Sequence, residues 1–160
     1  MEKQIRTSTM MPQPLETSPH GSSSSWIVVQ EGLFEYPSAN DGKPALLANR
    51  CMNCGTTFFP KRALCPTCFE EGDMEEVRLA RQGTIYACTV IHRDSPTGIP
   101  APYAYGYVEI PANQVRVFAL LTGGDPSSFH PGQEVELVIE PIKTDPEGNQ
   151  MIGYKFKPVL

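Results

Sequence analysis

Histidine and tryptophan are nearly missing from this sequence, with three and one respectively among 160 residues. His20, His92 and His130 stand in no motif that pairs a nucleophile with a base and an orienting group. A self-sufficient hydrolase or transferase is therefore not written here in recognisable form. A basic surplus is missing too: 13 Lys and Arg face 18 Asp and Glu, for a net charge of −5. By segment the charge is −2 over residues 1–43, 0 over 44–81 and −3 over 82–160. Binding nucleic acid through counterion release needs the opposite sign, so nucleic acid is a disfavoured partner. The apolar runs, such as 117–121 and 135–139, fall far short of the roughly 18 residues that cross a bilayer. Residues 1–25 hold no apolar core of the secretory kind. With neither membrane span nor signal expected, the cytoplasm is the expected compartment.

Turn formers, in contrast, are plentiful. Sixteen prolines and 13 glycines over 160 residues disfavour long helices and suit short strands joined by turns. A chain of this length makes one compact domain or two small ones, which excludes a large enzyme fold. Residues 1–25, with Ser22 to Ser25 in a row, cannot repay their ordering entropy and are expected to form a disordered tail. Residues 26–43 form a separate N-terminal segment. Its apolar residues between Trp26 and Tyr36 permit a short amphipathic helix or an extended docking strand ended by Pro37. From Gly83 onward five strands are predicted, at 84–92, 103–110, 115–121, 133–140 and 151–157, with Pro, Gly, Asn and Asp separating them. Five short strands without a helical period suit a mostly β fold, a five-stranded barrel of the oligonucleotide/oligosaccharide-binding (OB) type over residues 82–160, with an incomplete sandwich as the alternative.

Between those parts, over residues 44–81, lies the strongest signal. Cys51-Met52-Asn53-Cys54 and Cys65-Pro66-Thr67-Cys68 are two CxxC knuckles ten residues apart. Two such knuckles bring four thiolates to the corners of one tetrahedron, the pattern of a zinc ribbon. Gly55 stands where a positive φ lets backbone amides wrap the sulfur, and Pro66 stiffens the second turn. Disulfides compete poorly in a reducing compartment. Four cysteines leave no open coordination position, so the Zn2+ is structural; a rubredoxin-type iron centre uses the same four thiolates and stays open on sequence. The fifth, Cys88, reads as a small buried hydrophobe.

The runs Arg50 to Gly55, Phe58-Phe59-Pro60-Lys61-Arg62, Cys65 to Cys68, Gly83-Thr84-Ile85-Tyr86, Pro102 to Glu109 and Tyr154 to Pro158 together resemble the DUF35 family. The resemblance covers residues 26–160. It implies an N-terminal helical segment, a rubredoxin-like zinc ribbon and a C-terminal OB fold. It also implies a small accessory subunit whose partner, a thiolase-superfamily enzyme, carries the catalytic Cys and His and acts on an acyl-CoA, a coenzyme A ester. In size and in its extended N-terminus the chain is similar to the small subunit of a thiolase of anaerobic aromatic degradation.

Candidate residues follow from chemistry of type and position. No catalytic residue is assigned. Lys61 and Arg62 at the ribbon tip, and His92 at a strand end before the 95–102 loop, are candidates for a substrate or CoA entrance. Tyr103, Tyr105 and Tyr107 alternate along one strand face, where core packing competes with a ligand platform; Tyr103 and Tyr105 join the entrance candidates. Trp26, Leu33, Phe34 and Tyr36 are candidates for docking on a partner, with packing on the chain's own barrel as the competing reading. Two other functions stay open: a nucleic-acid-binding ribbon and barrel, and an acyl-CoA-binding protein without an enzyme partner.

Overall fold

A computed structural model describes residues 26–36, 42–69 and 73–159. The tail expected over residues 1–25 lies outside the described residues. Among these residues ten strands follow in order: β1 (Trp26–Val28), β2 (Phe34–Glu35), β3 (Ala45–Cys51), β4 (Thr57–Phe58), β5 (Met74–Arg78), β6 (Gln82–Ile91), β7 (Tyr103–Ile110), β8 (Val115–Leu121), β9 (Glu134–Thr144) and β10 (Gln150–Pro158). Two short 3-10 turns, Pro111–Asn113 and Pro126–Ser128, are the helical elements among the described residues.

Strands β6 to β10 close on themselves. β6 pairs with β7, β7 with β8, β8 with β10, β10 with β9, and β9 returns to β6. All these pairings are antiparallel except β8 with β10, which run parallel. A five-strand ring in this order is the OB barrel that the sequence predicts.

The reason lies in side-chain alternation. In β7 the even residues Ala104, Gly106, Val108 and Ile110 are buried, while the odd residues Tyr103, Tyr105 and Tyr107 point outward. Reading the tyrosines as core packing is thus corrected: they stand on the outer face. A barrel this narrow leaves no interior room for three phenol rings. Gly106 shows how tight it is, since a Cβ there would lie 2.1 Å from the Ala87 carbonyl oxygen. Phe156 fills the interior at 0% exposure, with Ile85, Val117 and Leu137 beside it.

The ribbon is joined to this core. In its sheet β3 pairs with β2, β4 and β5, and residues Ala45 to Ala48 at its start are buried. Leu46 and Ala48 belong to the same apolar cluster as Phe156. The Leu79 amide donates to the Leu46 carbonyl at 2.9 Å, and the Ala80 amide donates to Asn113 Oδ1 at 2.7 Å, so the linker is tied to both sides. Phe59, just after β4, meets Tyr154 of β10 edge-on with ring centres 5.5 Å apart.

The N-terminal segment is extended rather than helical. β1 lies parallel to β10, Trp26 opposite Gln150 and Val28 opposite Ile152. β2 lies antiparallel to β3, Phe34 opposite Leu46. The segment is short, and strand edges already in place satisfy its backbone better than an isolated helical turn would.

Candidate functional site

The four knuckle cysteines converge. Their sulfur atoms all lie within 4.8 Å of one another, with Cys51 Sγ 3.8 Å from Cys68 Sγ and Cys54 Sγ 3.5 Å from Cys65 Sγ. A tetrahedron with Zn–S bonds of about 2.3 Å has sulfur edges of about 3.8 Å, so the cluster is sized for zinc. Cys51 and Cys65 are buried, Cys54 is exposed and Cys68 is half-buried. All four corners belong to the chain, and no position remains for a metal-bound water. The site clamps; it does not catalyse.

Each knuckle is built by the same backbone device. The Gly55 amide donates to the Cys51 carbonyl at 2.8 Å, and the Phe69 amide donates to the Cys65 carbonyl at 3.1 Å. Both acceptor turns end in the left-handed region, Gly55 at φ 75 and Phe69 at φ 55. Glycine occupies that region freely, but a phenylalanine there is strained. The Phe69 ring is also 85% exposed, so no burial compensates. Relief of about 1–2 kcal/mol of left-handed strain exceeds the roughly 0.5–1 kcal/mol that glycine loses through unfolded-chain entropy, so Phe69→Gly should raise stability by about 0.5 kcal/mol without loss of metal. Thermal unfolding with parallel zinc analysis checks this; a lower melting temperature would show that the ring holds the knuckle.

Electrostatics differ between corners. The Thr56 hydroxyl, 3.3 Å from Cys54 Sγ, and the Thr56 backbone amide hold the Cys54 thiol down to about 6. The Cys54 amide lowers the Cys51 thiol, but burial and the crowding Cys65 and Cys54 thiols outweigh it and leave Cys51 raised. Asn53 donates through Nδ2 to Cys68 Sγ at 3.5 Å. Beneath the knuckles Asn49, 6% exposed, takes the Arg62 amide on Oδ1 at 3.1 Å and donates from Nδ2 to the Arg62 carbonyl at 2.7 Å. That paired bond fixes the loop between the knuckles to β3 and gives both the oxygen and the nitrogen of a buried amide a partner.

The other candidates are spread apart in their roles. Lys61 is ion-paired with Glu76 of β5, and the Arg62 side chain is exposed. His92 is exposed at the end of β6, where Asp94 Oδ1 receives the Ala101 amide at 2.8 Å and shapes the loop. Of the N-terminal candidates, Leu33 and Phe34 are half-buried against the chain itself: the Leu33 carbonyl receives the Leu47 amide at 2.9 Å, and Phe34 packs on the core. Trp26 and Tyr36 remain 64% and 41% exposed. Cys88 Sγ faces the Phe129 carbonyl oxygen at 3.5 Å, and His130 Nδ1 faces the Pro131 carbonyl oxygen at 3.1 Å, so each is turned onto backbone.

Tyr103 and Tyr105 belong to a larger feature that sequence reasoning left incomplete. Phe118 of β8 stands 5.1 Å from Tyr105 and 5.4 Å from Tyr107, ring centre to ring centre. Tyr103 lies 6.3 Å from Tyr105, and the Arg116 guanidinium covers the Tyr86 ring at 3.6 Å. Phe118 was legible, because Val115, Val117, Ala119 and Leu121 take the inward places of β8 and leave 116 and 118 outside. Tyr86 was not, because it sits in a bulge where the pairing with β7 shifts between Ile85 and Ala87.

Known proteins agree with this architecture. The ChsH2 rubredoxin-like zinc ribbon domain matches residues 42–75 and the ChsH2 C-terminal OB-fold domain matches residues 76–140. The benzoylsuccinyl-CoA thiolase subunit BbsA of Thauera aromatica is 38% identical over 128 residues, which cover 79% of this chain and 85% of that protein. A DUF35 domain-containing scaffold protein of Methanocaldococcus jannaschii is 35% identical over 117 residues, covering 71% of this chain and 82% of that protein. The solved structure of an Ltp2-ChsH2(DUF35) aldolase superposes with a TM-score of 0.59 at 28% identity, over 72% of this chain and 86% of that one. With the four-cysteine ribbon, the five-strand ring and relatives matched over most of their own length, the chain belongs to the DUF35 family.

Proposed function

We propose that the chain is the accessory zinc-ribbon and OB subunit of a thiolase-like acyl-CoA enzyme. The likeness to a thiolase subunit across most of both chains carries this reading. In it the partner holds the catalytic cysteine: its thiolate takes the acyl group as the carbon–carbon bond breaks, and the other fragment leaves as a CoA-ester enolate that takes a proton from an acid of the partner. The thiol of free coenzyme A, giving up its proton, then displaces the cysteine thiolate and carries the acyl group away. This chain supplies assembly and a wall for the acyl-CoA entrance. The exposed Arg62 and His92 are the residues proposed to meet the coenzyme A ester, Arg62 through its guanidinium at phosphate oxygens. Trp26 and Tyr36 are proposed as contacts with the partner. The zinc holds the ribbon in shape and takes no part in the reaction. A charge of −5 supports a protein partner over nucleic acid. The proposed setting is cytoplasmic, with an aromatic acyl-CoA as substrate.

The test is affinity purification of the tagged full chain from its own cells, with mass spectrometry of what stays bound after a high-salt wash. A stoichiometric thiolase-superfamily protein is expected. A chain that emerges alone, or with nucleic acid that nuclease removes, would overturn the reading in favour of a free acyl-CoA binder or a nucleic-acid module.

A further inference from the structure

The outer face of β6, β7 and β8 has a chemistry the metal centre does not explain. Tyr86, Tyr107 and Phe118 are each about half exposed on it, at 52%, 49% and 49%. Large apolar groups on one contiguous face of a soluble barrel mark a contact surface more often than chance exposure. Between the rings runs a groove of about 220 Å³, walled by Tyr105, Tyr107 and Phe118 and floored by Gly106 and Cys88. The depression exists because β6 carries only Ala87 and Thr89 opposite two tyrosines. It has room for a bulky apolar side chain.

Charge decides what kind of occupant fits. In β7 and β8 the outward charged residues are Glu109 and Arg116, and they neutralise each other at 3.2 Å while Arg116 lies over Tyr86. Neither the pairing nor the stacking leaves this guanidinium turned toward a phosphate. A polyanion needs cations beside its stacking platforms. A neutral face of Tyr, Phe and a stacked Arg instead complements an uncharged protein surface, and those are the residue types that dominate interface energetics.

We propose that this face docks the chain onto its catalytic partner, with the groove receiving an apolar side chain of that subunit. The proposal rests on the accessory-subunit reading and deepens it by naming the surface.

The experiment mixes full-length chain with the thiolase-superfamily protein that co-purifies with it, re-expressed separately, and measures affinity by calorimetry. Phe118→Asp places a charge at the centre of the face, and Thr89→Arg fills the groove from an exposed position that the core does not use. Each should weaken binding by about 30-fold or more, with zinc content and melting temperature unchanged. Native affinity should change little between low and high salt. If native chain binds the thiolase and both variants bind as tightly, the surface is wrong and the subunit reading stands. If native chain binds no thiolase-superfamily protein, both fall together. Loss in the variants of binding to labelled oligothymidine, or of self-association, would overturn the proposal for nucleic acid or a second copy.

Discussion

Cys65→Ser should leave about no zinc on a chain that otherwise carries one ion, and should unfold the ribbon. Apparent binding energies of structural zinc at such sites run to about 10–16 kcal/mol, and that energy is folding energy. Cys65 is buried beside Cys54, so a serine hydroxyl there cannot replace the lost thiolate. Damage will not stop at the knuckle. β3 ends in Cys51, but begins at Ala45 and places Leu46 and Ala48 in the barrel core. The variant, and native protein treated with a strong chelator, should therefore melt far below the native holo chain. Metal analysis and circular dichroism read both effects; unchanged melting after complete metal loss would show that the ribbon is ornamental. The purified chain should be colourless, since a ferric rubredoxin centre absorbs visible light. Sign follows from proton competition. Binding needs thiolates, so affinity falls as pH falls. Cys54, held down to about 6, gives up its proton to the metal most readily, and Cys51, raised, least. Zinc affinity, read by competition with a chelator of known affinity, should weaken steadily as pH falls.

Gly106→Val should cost about 3 kcal/mol, against the usual preference of strands for β-branched residues. The added Cβ would meet the Ala87 carbonyl oxygen at 2.1 Å and the Cys88 Cα at 2.8 Å, both backbone atoms that cannot rotate away. β6 and β7 must separate to admit it. At about 2–4 °C per kcal/mol for a chain of this size, melting should fall by about 6–12 °C. Urea unfolding checks the energy; a loss under about 0.5 kcal/mol would mean the two strands are not held at this spacing.

Much of this architecture was readable beforehand, and the reasons differ by element. β7 and β8 begin and end at the predicted residues because strict alternation and firm turn residues, Pro111 to Asn113 and Gly123 to Asp125, bound them. The sequence ends this strand at Glu140, yet β9 runs on through Pro141 to Thr144. Pro141 is tolerated there because the register breaks beside it, between Met151 and Ile152 on β10. The four metal ligands are legible because their spacing is itself the geometry. Phe69 escaped notice, although aligning the two knuckles sets it in the place of Gly55. The aromatic face was half seen: alternation along β7 and β8 turns the tyrosines and Phe118 outward, but that Phe118 stands beside Tyr107, and Tyr86 under Arg116, is set by cross-strand pairing. Pairing between strands is a long-range fact that local pattern does not carry.

The pairing of β1 with β10 has a consequence for synthesis. On the ribosome, Trp26 to Val28 emerge long before Gln150 to Ile152, the residues that give them a hydrogen-bonded neighbour. Barrel closure waits on the same late segment, because β10 bridges β8 and β9. Trp26, Ile27, Val28 and Val29 thus leave the exit tunnel well before the strand edge they pair with exists, and they stay open to chaperones until it does.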